Sequence, residues 1–109
     1  MFGIIDDKLS ECEELLRNSY DDRGRLMAFP EDRYLRCLAM GKIAIKLGTD
    51  VTYTKDEINR VIRHSVCFDD IDFVRTEMKN VGFLGCLMNE TKYWLEEEWM
   101  FRFNEFMER

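Results

Sequence analysis

The one histidine of the chain, His64, stands three residues before Cys67, and carboxylates follow at Asp69, Asp70 and Asp72. A nitrogen and a sulfur at that spacing could give a structural zinc two of its four ligands, but such a site wants a second pair. The other cysteines, Cys12, Cys37 and Cys86, fall one to a quarter of the chain and form no Cys-x-x-Cys. All four, Cys67 included, read as reduced, buried thiols packed as small hydrophobes. A Cys–His nucleophile pair would also need a third, orienting group. The aspartates stand where a helix should begin, and carboxylates there already serve as caps and as partners of the positive helix end. Gly41, Gly48, Gly82 and Gly85 make no phosphate-binding pattern. The expectation is therefore no catalysis, no metal and no cofactor.

A second set of side chains suits recognition rather than reaction. Arg75, Thr76, Lys79 and Asn80 lie close together in one helical run, and Lys92 follows in a turn. An arginine can reach guanine and an asparagine adenine, while lysines meet phosphate. Arg60 and Arg63, with Arg33 and Arg36, could widen a phosphate footprint; Asp69, Asp70, Asp72 and Glu77 oppose it. The plain alternative is a solvated helix surface of mixed charge.

The elements that must position these groups are legible from spacing. Ile5, Leu9, Cys12, Leu15 and Leu16 predict an amphipathic helix over residues 5–18. Residues 18–24 read as a polar loop. Pro30 suits the first turn of a second helix, which runs on through Tyr34, Leu38, Ile43 and Leu47 and stops at Gly48. Apolar around most of its circumference, it belongs at the centre of the domain. Thr54 and Glu57 form a capping box for a short helix ending near His64 and Ser65. Asp69 or Asp70 caps the next, which carries Ile71, Phe73, Val74, Met78 and Val81 and ends at Gly82. Residues 83–88 and 92–95 predict two short strands, with Asn89-Glu90-Thr91 as the turn. Glu96-Glu97-Glu98 opens a last helix over 96–108, whose stripe is Leu95, Trp99, Phe103 and Phe106.

Length and charge bound the rest. A chain of 109 residues, 46% apolar, supports one domain with one core. The opening Met1-Phe2-Gly3-Ile4-Ile5 has no basic leader, and no apolar run approaches a bilayer span, so a cytoplasmic protein without membrane contact is expected. The net charge of −6 is uneven: residues 31–80 carry nine basic and nine acidic groups, and the flanks at 1–30 and 81–109 are each −3. A nucleic-acid binder usually displays a basic face.

Helix, short helix, capped helix and hairpin, in that order, is the order of a winged helix. The wording also resembles a bacterial family known as domain of unknown function 2087. The residues that carry the resemblance are Tyr53, Thr54, Glu57, Ile58 and Asn59; Val74, Arg75, Glu77 and Met78; Gly82, Phe83 and Leu84; and Tyr93 and Trp94. They cover roughly residues 30–95. Where the family pattern pairs two arginines, Thr76 replaces the second, and the turn before Tyr93 holds one acid and one base. The resemblance implies a part of a transcriptional regulator.

The sequence thus predicts a single α+β, mostly helical domain over 1–109. A winged helix-turn-helix core at 30–95 is framed by added N-terminal and C-terminal helices. The expected function is a regulatory module that binds double-stranded DNA through Arg75, Thr76, Lys79, Asn80, Lys92, Arg60 and Arg63. Leu9, Leu16, Trp99, Phe103 and Phe106 are expected at a homodimer or partner interface, where aromatic anchors are favoured. The alternative on the same fold is an acidic protein-binding adaptor or inhibitor, including a phage-type mimic of nucleic acid.

Overall fold

In the computed structural model, residue 11 and residues 13–108 are described. The N-terminal helix, α1, is helical through 13–17 and turns at Asn18, close to its expected end; Leu9 and Cys12 lie outside the described residues. The following loop is more ordered than its polarity predicts. Asp21 organises it, its Oδ1 accepting from the backbone N–H groups of Arg23 and Arg25 while Gly24 adopts φ +77°. The folded-back chain then places Leu26, wholly buried, in bridges to Tyr20 and to Val66.

Helix α2 spans Arg33–Ala44, capped by Asp32, whose side chain accepts from the N–H groups of Tyr34 and Leu35. Pro30 lies two residues before that cap, not in the first turn, and its carbonyl accepts from Arg36 Nε at 2.7 Å. The helix closes three residues before Leu47, and Ile45 just past its end is 68% exposed. As expected from its composition, α2 is central: Cys37, Leu38, Ala39, Met40, Gly41, Ile43 and Ala44 are all buried.

A two-residue strand, β1 (Thr52–Tyr53), follows, after Asp50 takes φ 59°. So short a strand leaves no alternation to read, and it was not anticipated. Helix α3 (Lys55–Ser65) begins at the complete Thr54–Glu57 capping box. Helix α4 (Ile71–Asn80) begins at Asp70, whose side chain makes no capping bond, and stops where Gly82 takes φ +87°. The hairpin is β2 (Leu84–Cys86) with β3 (Tyr93–Leu95), both inside the expected strands. The last helix, α5, is Trp99–Glu108; the three glutamates precede it instead of forming its first turn.

The architecture is α+β: helices around a three-stranded antiparallel sheet of order β1-β3-β2. Thr52 pairs with Trp94 and Tyr53 with Tyr93, so the strand before α3 lies beside the second hairpin strand. The core under the sheet holds Ile58, Ile62, Val74, Met78, Phe83 and Tyr93. Helix α5 closes it: Trp99 and Phe83 meet edge to face at 5.6 Å, and a Cβ on Gly41 would come within 2.7 Å of the Phe103 ring. Among the described residues no helix is long and apolar enough to cross a membrane.

Candidate nucleic-acid interface

The buried residues of α4 are Ile71, Val74, Arg75 and Met78. Their spacing is i, i+3, i+4, i+7, one helical face, so Arg75 points into the domain. Only 5% of it is exposed. Its Nη1 donates to Oδ1 of Asn59 on α3 and, at 2.7 Å, to Oδ1 of Asp72. The guanidinium also stands 5.8 Å from the centre of the Tyr93 ring on β3. One cation therefore ties α3, α4 and the hairpin together, and it does not reach outward to a base as the sequence reading had it. The helical spacing of Ile71, Val74 and Met78 already sets it on the inner face.

Tyr93 continues the network. Its hydroxyl donates to Glu90 Oε1 at 2.7 Å, which lets a residue at φ 56° anchor the hairpin turn. Burial, seconded by that bond, pushes the phenol up to about 12. The tyrosine bond, followed by Lys79 and Lys55, holds the Glu90 carboxyl below its ordinary range. The capping hydrogen bonds from Thr54, followed by Lys92 and Arg60, do the same for Glu57. The start of α3, the outer side of α4 and the hairpin turn thus share one surface.

On that surface Thr76, Lys79, Asn80, Lys92 and Arg60 are exposed, as is Arg63 two turns along α3. Lys55 joins them, a cation that the sequence reading passed over. Asp56, Glu57, Asp72 and Glu90 are interleaved with them, so the face is of mixed charge. Two expected contributors are engaged elsewhere. Arg36 donates to Glu77 at 3.3 Å and lies over the ring of Phe29, and Arg33 stands near the ring of Phe106 on α5. The hairpin turn is also apolar at its tip, with Leu87 exposed and Met88 fully so.

The expected interface residues lie mostly inside the molecule. Leu16 and Trp99 are buried, and Phe103 and Phe106 pack on the core. An aromatic stripe on a terminal helix has a core to cover before it has a partner, and α5 covers this one. Its exposed apolar side chains are Met100 and Phe101. His64 and Cys67 are both exposed, so Cys67 departs from the buried thiol expected, whereas Cys37 is buried. No group of three or more His, Cys, Asp or Glu side chains among the described residues is arranged to hold a metal ion.

A family described as "Uncharacterized protein conserved in bacteria (DUF2087)" matches residues 25–95. The chain belongs to that family. No curated protein and no solved structure matches it. The DUF2087 span starts in the loop that carries Leu26 and ends at the last residue of β3, leaving out α1 and α5.

The side chains that carry the DUF2087 resemblance have structural work in this chain. Tyr53 accepts from the Gly48 N–H at 2.7 Å, and Thr54 and Glu57 cap α3. Asn59 and Arg75 join α3 to α4, and Glu77 pairs with Arg36. Gly82 supplies a left-handed turn that few other residues adopt. Trp94, opposite Gly85 in the sheet, covers it and donates to Glu96 at 2.9 Å.

Proposed function

We propose that this DUF2087 chain is a cytoplasmic regulatory module of winged-helix type that contacts duplex DNA without catalysis. The observation that carries the reading is the order α2-β1-α3-α4-β2-β3 with β1 paired to β3. That order supports the reading, since in a winged helix the helix before the hairpin enters the major groove while the hairpin meets the backbone. Thr76, Lys79 and Asn80 are the side chains for the groove; Lys92, Arg60, Arg63 and Lys55 are those for phosphate. Arg75 is the scaffold that keeps α4 and the hairpin in register.

With acids interleaved among these cations, binding is weak and strongly dependent on salt. Fluorescence anisotropy against a pool of random duplexes tests it. Micromolar binding is expected at low salt, with a log–log slope of about −0.9 per phosphate contacted. Replacing Arg60, Lys79 and Lys92 with alanine should flatten that slope by roughly 3 units and leave the circular dichroism unchanged. Absence of binding at low salt, or a triple variant that binds as the parent does, overturns the reading. The exposed Leu87 and Met88 beside Glu90 favour the second one, a protein-binding adaptor whose contact is the hairpin tip. In that case Met88→Asp abolishes partner capture and Lys79→Ala does not.

A further inference from the structure

A concavity of about 510 Å³ opens between α1, the Tyr20–Leu26 loop and α2. Its floor is apolar and well formed: Leu16, Leu26, Ala39 and Ile43 are each buried in the core. The loop that walls it is pinned to the end of α3, since the Leu26 N–H donates to the Ser65 carbonyl at 2.8 Å and the Cys67 N–H donates to the Leu26 carbonyl at 2.9 Å. Three cations, Arg17, Lys42 and Lys46, line it beside a single acid, Glu13. In a chain of net charge −6, that local excess is unusual.

One of these cations is held in place. The Ser65 hydroxyl, itself buried, donates to the Val61 carbonyl at 3.0 Å and accepts from Lys46 Nζ at 2.9 Å. An ammonium has three donors, so two remain for a ligand at the pocket mouth. Lys42 is held loosely, 3.8 Å from Glu13, which a stronger anion could displace. A volume in the range of ordinary ligand pockets, an apolar floor and a few convergent polar groups make a small-molecule site.

We infer that this pocket binds a small soluble organic anion, an apolar body carrying one carboxylate or sulfonate that Lys46, Arg17 and Lys42 receive. The site lies at the Ser65 end of α3, whereas Lys55 and Glu57 at the other end belong to the candidate DNA face. At 1.5 Å rise per residue those two ends are about 15 Å apart along the helix axis, with Arg60 and Arg63 of that face between them. The inference goes beyond the DNA reading and does not depend on it.

Titration of the full chain with 1-anilinonaphthalene-8-sulfonate, without DNA, tests it. The expected result is a saturable fluorescence rise with one equivalent bound, reversed by decanoate, with the near-ultraviolet circular dichroism of the folded chain unchanged. Lys46→Glu and Arg17→Glu, both changes of exposed residues, should each weaken binding at least tenfold, and Glu13→Gln should leave it as tight or tighter. Non-saturable binding, failure of decanoate to compete, or charge reversals that bind like the parent overturn the inference. Should one reversal fail to fold, the other carries the test. Since nucleic acid is absent throughout, a negative result here is distinct from failure to bind a duplex.

Discussion

Arg75 shows how one side chain can be read in two opposite ways. On a helix facing a groove, an arginine suggests base recognition; on the inner face of the same helix, it is a clamp. Here Asn59, Asp72 and the ring of Tyr93 receive it. Asp72 is mostly exposed, so that ion pair adds little. The bond to Asn59 carries more, because its loss leaves that half-buried amide without its partner inside the domain. Arg75→Met should lower stability by about 1–3 kcal/mol in urea unfolding. Any loss of DNA binding in that variant should follow the loss of fold, whereas Lys79→Ala should leave stability unchanged. The side chain's inward direction was available from its spacing with Ile71, Val74 and Met78. Its partner was not, since nothing in the sequence pairs an asparagine with an arginine sixteen residues on.

At the scale of elements, the parts written in local chemistry were legible and those set by distant packing were not. The Thr54–Glu57 box, the stop at Gly82 and the hairpin each depend on residues within a turn or two, and each stands where the spacing puts it. Strand β1 exists because β3 is there to receive it. Helices α2 and α5 likewise meet at Gly41 and Phe103, a contact that no local spacing shows. That contact yields a test in which two effects compete. Alanine in a helix interior gains about 1 kcal/mol over glycine. Overfilling a packed contact costs typically 1–3 kcal/mol. With the added carbon only 2.7 Å from the ring, the second should win. Gly41→Ala is therefore expected to lower the melting temperature, and pairing it with Phe103→Leu should recover part of the loss.

For the whole molecule, the acidic balance sets the pH range of stability. Four carboxylates in separate places titrate below their ordinary values in the folded chain. A backbone bond from Arg25 lowers Asp21. The Thr54 backbone lowers Glu57, the Arg75 side chain lowers Asp72, and the Tyr93 hydroxyl lowers Glu90. A group depressed on folding stabilises above its unfolded value and ceases to do so as pH falls through its folded one. The melting temperature should therefore stay level from neutrality to about pH 5 and decline below it. Glu57→Gln keeps an oxygen for the cap and removes one titration, so its decline should be shallower. An unchanged acid limb would mean that Glu57 titrates alike in the folded and unfolded chain.

The lid that Trp94 makes over Gly85 has an optical consequence. The chain has two tryptophans. One indole, Trp99, is enclosed against Phe83, and the other is half-buried at the sheet surface, its N–H on the Glu96 carboxylate. Their emission spectra should differ, a blue component reporting the seating of α5 and a redder one the base of the hairpin. The fold thus carries two intrinsic dyes on two different parts, and events at the hairpin can be followed by colour without any label.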